Sequence, residues 1–410
     1  MGVDKTWTYH KRDLAIYSGI RFLSEAATLA QSVAIGWTVY NLAGAPLALG
    51  VAGVVQFVPM FLLTLPAGEL CDRHSPRKVL AVGLALEGVC AIGFLWLAAT
   101  PSVGLSPFYA VLLILGIARA FTEPASQALL PYLVPPERVP GAIAWGSTAW
   151  QVAVIAGPPL GGLAYEFGPA IAYGACCTGF FAAMLAVAML HGQELALVES
   201  PELRDRIARV IEGVTFIWSQ PIVLGAISLD LCAVLLGGAT ALLPIYARDI
   251  LHVGPVGLGL LRAAPAVGAC AVALAQAHHP PDRRIGLKLF AAVAIFGAVT
   301  LVFAFSTSFA LSLVALTILG ASDMVSVNIR STLVQMATPD VMRGRISAVN
   351  MLFVAASSEL GAFESGITAA LLGTVPAVAF GGVGAVLIVA IWMGAFPSLR
   401  RADRLSSIAP

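Results

Sequence analysis

Twelve stretches of this 410-residue chain are apolar over about twenty residues or more, the length at which an α-helix rising 1.5 Å per residue crosses a hydrocarbon core. They fall near residues 14–42, 46–68, 79–100, 107–131, 141–165, 169–190, 221–247, 256–277, 286–306, 309–337, 345–372 and 375–396. In lipid, backbone polar groups are satisfied only within a helix or a closed barrel, and these runs are too long and too continuously apolar for barrel strands. The sequence therefore predicts an all-α membrane protein with twelve transmembrane helices. Composition agrees: 59% of residues are hydrophobic, 11% are charged, and the mean hydropathy is +0.90. A net charge of +1 without a long Lys/Arg run argues against nucleic acid as a partner and leaves the lipid bilayer as the surrounding medium. Cys90, Cys176, Cys177, Cys232 and Cys270 lie inside apolar spans and Cys71 at a span end, so they read as small buried hydrophobes rather than a disulfide framework. The polar stretch Met1 to Asp13 leads into a span too long for a signal segment, so no cleavage is expected.

Basic residues set the orientation. Of the 23 Lys and Arg residues, eighteen fall in alternate loops on one side of the twelve spans. Four lie within spans (Arg21, Arg119, Arg262, Arg330), and Arg248 stands alone on the other side. The positive-inside rule then predicts that both termini are cytoplasmic, and a count of eleven or thirteen spans would destroy the alternation.

The long polar interruption from about His191 to Gln220 separates six spans from six. The expected organisation is a six-helix bundle over 1–192, a cytoplasmic linker over 193–220 and a second six-helix bundle over 221–410. Ile207, Val210, Ile211 and Val214 fall at helical spacing and predict a short amphipathic helix in that linker, lying along the membrane face. The halves also match at an offset of 203 residues. Pro136-Glu137 with Gly141 and Ile143 corresponds to Pro339-Asp340 with Gly344 and Ile346, and Gly157 and Gly162 fall near Gly361 and Gly366. Secondary transporters are commonly built from such repeats, with the substrate site between them at mid-membrane.

Eleven charged side chains interrupt the spans, and seven sit on the first, fourth, seventh and tenth: Arg21, Glu25, Arg119, Glu123, Asp230, Asp323 and Arg330. A charge near the bilayer centre costs about 2.5 kcal/mol or more, so such residues face protein or water. Arg21 and Glu25 are four residues apart on one helix, as are Arg119 and Glu123, which puts each pair within reach on one face. Carboxylates in this setting suit proton binding, because their protonation responds to desolvation and to an approaching Arg. The same residues also fit a set of static ion pairs, and Arg330 fits either an anionic substrate or Asp323. Arg262 and Glu359 are further cavity candidates, whereas Glu87 reads as packing or water-facing. No phosphate-cradling loop, metal-ligand cluster or catalytic set is evident, so no cofactor, metal or enzymatic activity is expected.

Three motifs carry a family resemblance. The loop Gly68-Glu69-Leu70-Cys71-Asp72-Arg73-His74-Ser75-Pro76-Arg77-Lys78 resembles the signature loop of the major facilitator superfamily, although Ser75 stands where a Gly is usual. Gly157-Pro158-Pro159-Leu160-Gly161-Gly162 resembles the antiporter-associated motif of that superfamily, with Ala153 in place of a preceding Gly; plain helix packing explains it equally well. Arg119 to Ala125 and Leu130-Pro131, Gly36-Trp37 through Gly50, and Arg343-Gly344-Arg345 resemble the branch of siderophore exporters and drug:proton antiporters of bacterial inner membranes.

The resemblance implies two pseudo-symmetric six-helix bundles working by alternating access, with the seven charges lining a central cavity. It implies a gate latch at Gly68, Asp72, Arg73, Arg77 and Lys78, and a packing motif at Gly157, Pro158, Gly161 and Gly162. The implied activity is proton-coupled efflux of small amphipathic molecules across the bacterial cytoplasmic membrane by a monomer, with the small-molecule substrate and protons as partners. An importer or facilitator of an organic anion or lysolipid, and a non-transporting receptor, remain open on the residues alone.

Overall fold

The computed structural model describes residues 5–100, 104–191, 203–279, 283–339 and 342–403. Residues 193–202 of the expected linker and Asp340 lie outside the described residues, as do the side chains of Asp72 and Ile207.

Among the described residues the regular structure is entirely helical. The first six helices are α1 (Lys5–Ala43), α2 (Pro46–Arg73), α3 (Pro76–Ala99), α4 (Leu105–Leu129), α5 (Val139–Glu166) and α6 (Pro169–Ala188), followed by the linker helix α7 (Leu203–Ser219). Helix α8 (Pro221–Leu236) continues through a 3-10 turn, the short α9 (Leu243–Ile245) and a π turn at Tyr246–Ile250. Then come α10 (Gly254–His278), α11 (Ile285–Ala304), α12 (Phe309–Met336), α13 (Arg343–Leu372), α14 (Thr374–Ala395) and the terminal turn α15 (Pro397–Arg400).

Ten of these runs, counting Pro221–Ile250 as one, are long and apolar enough to cross a membrane. Helices α1 and α5, of 39 and 28 residues, are long enough but more polar, and they complete the twelve. Their polarity is tolerated because they pack on each other, so part of each surface faces protein rather than lipid. Proline opens α2, α3, α6, α8 and α15, where the missing N–H has no intrahelical partner to lose. Gly44 and Gly373, at φ +60° and +92°, make the short reversals between α1 and α2 and between α13 and α14 in a backbone region that side chains disfavour.

The chain divides into two compact units. Unit 1 comprises Met1–Ala43, Val55–Leu203 and Gly254–Ala263; unit 2 comprises Gly44–Val54, Arg204–Val253 and Ala264–Pro410. Thus the start of α2 groups with the second half of the sequence and the start of α10 with the first. In unit 1 the main helix pairings are α1 with α5, α1 with α6, α3 with α4 and α3 with α6. In unit 2 they are α8 with α13, α8 with α14, α11 with α12 and α11 with α14. The second set is the first carried over onto the second six spans, the repeat that the 203-residue offset signalled.

Unit 1 is cored by Ile20, Leu80, Leu84, Leu129 and Phe180, and unit 2 by Leu229, Leu289, Phe290 and Leu333. Large apolar side chains such as Leu62, Trp96, Leu185, Leu274 and Ile391 are exposed, as expected of surfaces solvated by lipid.

Small residues set the closest helix approaches. A Cβ on Gly157 would lie 3.1 Å from Ala26 O, and one on Gly161 2.5 Å from the Ala30 Cα, so the packing motif seats α5 on α1. On its other side Gly162 abuts the Pro255 carbonyl at the start of α10, within the same unit, and Pro158 is buried. Gly320 meets the Pro265 carbonyl in the same way in unit 2.

Polar contacts fix the ends. Arg77 donates from Nε to Val187 O (3.0 Å) and from Nη2 to Ala188 O (2.6 Å), capping the C-terminal carbonyls of α6. Asp13, buried on α1, accepts from the His191 backbone N at 3.4 Å just beyond α6. The linker helix docks on unit 2: Val210, Val214 and Ile217 pack against Ile346 and Val349 of α13, and Arg345 pairs with Glu212 at 2.5 Å. Ile211, grouped with those residues by its spacing, is instead exposed.

Candidate functional site

The seven span charges fall into one cluster in each unit. In unit 1, α1 presents Arg21 and Glu25, and α4 presents Arg119 and Glu123. The pairs formed are not the four-residue pairs suggested by spacing along each helix. Arg21 reaches across to α4, with its Nη1 3.3 Å and 3.4 Å from the two Glu123 carboxylate oxygens and 3.2 Å from Ser126 Oγ. Gln127 Nε2 donates to Glu123 Oε1 at 2.8 Å, and Tyr17 OH donates to Ser126 O at 3.0 Å. Glu123 remains half exposed, with 51% of its side chain accessible against 13% for Arg21. Pro124, inside α4, removes a backbone donor beside this pair, which loosens the ladder where the charges sit.

Glu25 faces the indole of Trp150 on α5 and stands within electrostatic range of both arginines. Arg119 forms no ion pair among the described residues, and its Nε and Nη2 are buried without a hydrogen-bond partner. Glu87 on α3, read from sequence as packing or water-facing, is 2% exposed and lies beside Thr122, with Arg119 the charge that acts on it most strongly. Its location was visible in the sequence as one more charge in a span, but its proximity to α4 was not.

In unit 2 the pairing also crosses helices. Arg330 Nη2 of α12 lies 3.1 Å from Asp230 Oδ2 of α8, with 3% and 7% of the two side chains exposed. Arg330 Nη1 donates to Asn350 Oδ1 on α13 at 2.7 Å, and Ser326 Oγ donates to Asp230 Oδ1 at 3.4 Å. Asp323, two turns before Arg330, forms no ion pair among the described residues. It lies beside a cavity of about 10 Å³ whose accessible wall is apolar, bordered also by Asp230, Ser326, Ala233, Val293 and Phe296. Asn350 and Ser326 carry no charge, so nothing in the sequence distinguished them from other span residues.

Arg262, in the α10 segment that belongs to unit 1, donates to Ser32 Oγ at 2.5 Å. In unit 2, Glu359 Oε2 lies 3.2 Å from the position of a Cβ on Gly53. Of the gate-loop residues, Arg73 pairs with Glu69 at 2.6 Å, Arg77 caps α6, and Lys78 is exposed. Gly68 lies on the last turns of α2, and the Asp72 side chain is outside the described set. Among the described residues no group of three or more His, Cys, Asp or Glu is placed to hold a metal.

Known proteins match at three levels. The family model of the Major Facilitator Superfamily matches residues 17–362. The enterobactin exporter EntS of Citrobacter koseri is 27% identical over 393 residues, covering 93% of this chain and 91% of the relative. The EntS of Escherichia coli O1:K1 / APEC is 26% identical over 387 residues, with the same coverage. Among solved structures, a POT family transporter in complex with 5-aminolevulinic acid superimposes with a TM-score of 0.74 at 11% identity, covering 95% of this chain and 96% of that one. A bacterial homolog to the human lysosomal transporter Spinster, inward-facing and occupied, gives 0.72 at 12% identity over 98% and 97% of the two chains. Twelve spans, two repeats with the same internal pairings and a family match over most of the length make this chain a member of the major facilitator superfamily, a multi-pass secondary transporter.

Proposed function

We propose that this transporter is a proton-coupled exporter of small amphipathic molecules of the siderophore or drug type. It works by alternating access as a monomer in the bacterial cytoplasmic membrane, with both termini in the cytoplasm. The observation that carries the coupling is a charge imbalance repeated in the two units. In unit 1, Glu25, Glu87 and Glu123 face Arg21 and Arg119; in unit 2, Asp230 and Asp323 face Arg330. Each cluster holds one more carboxylate than guanidinium. Burying that extra negative charge costs several kcal/mol, and binding one proton removes it. A proton taken up from the periplasmic side then competes with cargo accepted from the cytoplasm, as alternating access requires.

The enterobactin exporters among the relatives supply the substrate type. Import of an organic anion is the weaker alternative, because Arg21 and Arg330 are already engaged by carboxylates. The test uses purified protein in proteoliposomes with enterobactin and an imposed proton gradient. Enterobactin flux driven by the gradient and lost on its collapse is the expected result; flux indifferent to collapse would remove the coupling.

A further inference from the structure

Glu87 is the most deeply buried carboxylate of the first cluster, 2% exposed, and the Thr122 hydroxyl is its one hydrogen-bonding neighbour. Glu123 receives Arg21 and Gln127, and Glu25 faces the Trp150 indole. Glu87 lies on the face of α3 that packs against α4, one turn from Gly83, whose Cβ would meet Thr122 Oγ1 at 2.5 Å. Thr122 is its polar neighbour, and the Thr122 hydroxyl donates its single hydrogen to Ala118 O at 3.0 Å. An ionised Glu87 thus competes with the Ala118 carbonyl for one hydroxyl hydrogen, whereas a carboxylic acid O–H can donate to the Thr122 oxygen and leave that hydrogen to Ala118. Facing it across the same helix interface is Arg119, whose Nε and Nη2 have no acceptor. A buried carboxylate with one shared donor, beside a buried guanidinium with two unpartnered nitrogens, describes an ion pair held open.

We propose that Glu87 is a proton-binding carboxylate of unit 1 and that Arg119 is its counter-charge, the two closing into an ion pair when the proton leaves. On release the O–H bond breaks, the electron pair stays on the Glu87 oxygen, the proton passes to water, and the Arg119 N–H groups gain the acceptor they lack. On uptake these steps reverse. The charged and titratable groups facing the pair are Glu123 from α4, Glu25 from α1, Cys176 from α6 and Cys90 from α3 itself. Arg21 holds Glu123 away from Arg119, which leaves Arg119 available to Glu87.

This proposal deepens the proton-coupled reading by naming where one proton sits, and it is tested without substrate or gradient. Infrared difference spectra of the purified protein between acid and alkaline pH report each carboxylic acid C=O that ionises. Subtracting the spectra of Glu87→Gln from those of the wild type isolates Glu87. The expected result is one protonated-acid band at neutral pH that is lost on alkalinisation and is missing in Glu87→Gln. Glu87→Asp keeps a shifted band, and Arg119→Gln preserves the wild-type band to a pH higher by about one unit or more, since the stabilising counter-charge is gone. No neutral-pH acid band assignable to Glu87 would overturn the proposal, and so would an Arg119→Gln spectrum that titrates like the wild type. Glu87→Gln is close in shape to the protonated side chain, and should it fail to fold, the loss of the band on alkalinisation and its displacement in Glu87→Asp decide the proposal. A negative flux experiment with enterobactin leaves the band unaffected, so the two failures are distinguishable.

Discussion

The Arg330–Asp230 pair is the most deeply enclosed of the ion pairs described, and each partner is held by a second group: Asn350 on the guanidinium and Ser326 on the carboxylate. Removing one member strands the other. Arg330→Gln or Asp230→Asn should therefore cost about 3–5 kcal/mol of stability, read as a large drop in the thermal midpoint of the detergent-purified protein, whereas the exposed pair Arg73–Glu69 should cost under about 1 kcal/mol when broken by Glu69→Gln. At this scale the sequence was legible in part. It singled out Arg21, Glu25, Arg119, Glu123, Asp230, Asp323 and Arg330, because a charge inside an apolar run is conspicuous, and it set Glu87 aside as packing or water-facing. It could not choose partners. Arg21 and Glu25 are neighbours along α1, yet Arg21 pairs with Glu123, 102 residues away, because a helix face presents both charges to α4 and only packing decides between them. Trp150 and Asn350 were invisible for the same reason: their contribution is a position against another helix, and neither carries a charge that would mark it within a span.

Among helices, the limiting quantity is backbone approach. The α1–α5 contact depends on Gly157 and Gly161 having no side chain, and a Cβ at Gly161 falls 2.5 Å from Ala30. Gly161→Ala should cost about 1–3 kcal/mol through overpacking, with Gly141→Ala, whose added Cβ meets nothing within 4 Å, as the neutral control; melting curves of the two variants check this. The motif around Gly157 was recognisable in the sequence, and its packing partner was not, since the spacing of small residues names a groove without naming the ridge. Helix ends were legible where proline or glycine marks them, as at Pro46, Pro169 and Gly373. The start of α1 at Lys5 was not, because its first turns are polar and resemble a tail until Asp13 and His191 join them to α6.

Across the whole molecule, the alternation of basic loops makes a prediction independent of any contact. A cysteine placed at Arg248 should react with a membrane-impermeant maleimide added to intact cells, and one placed at Ser75 should react only after the membrane is opened. The reverse pattern would refute the assigned orientation. The fold as a whole was legible because membrane thickness fixes span length. What the sequence obscured was that the two units do not follow the polar linker strictly, since 44–54 and 254–263 group with the opposite half.

The repeated pairings also carry a genetic consequence. In unit 1 the arginine is on the first helix of the repeat and the carboxylate on the fourth; in unit 2 the carboxylate is on the first, α8, and the arginine on the fourth, α12. The scaffold thus accommodates the pair in either polarity. Revertants selected from an Arg330→Asp strain should therefore include basic substitutions at Asp230, and the transposed double variant should recover a substantial share of the folded protein that either single change loses.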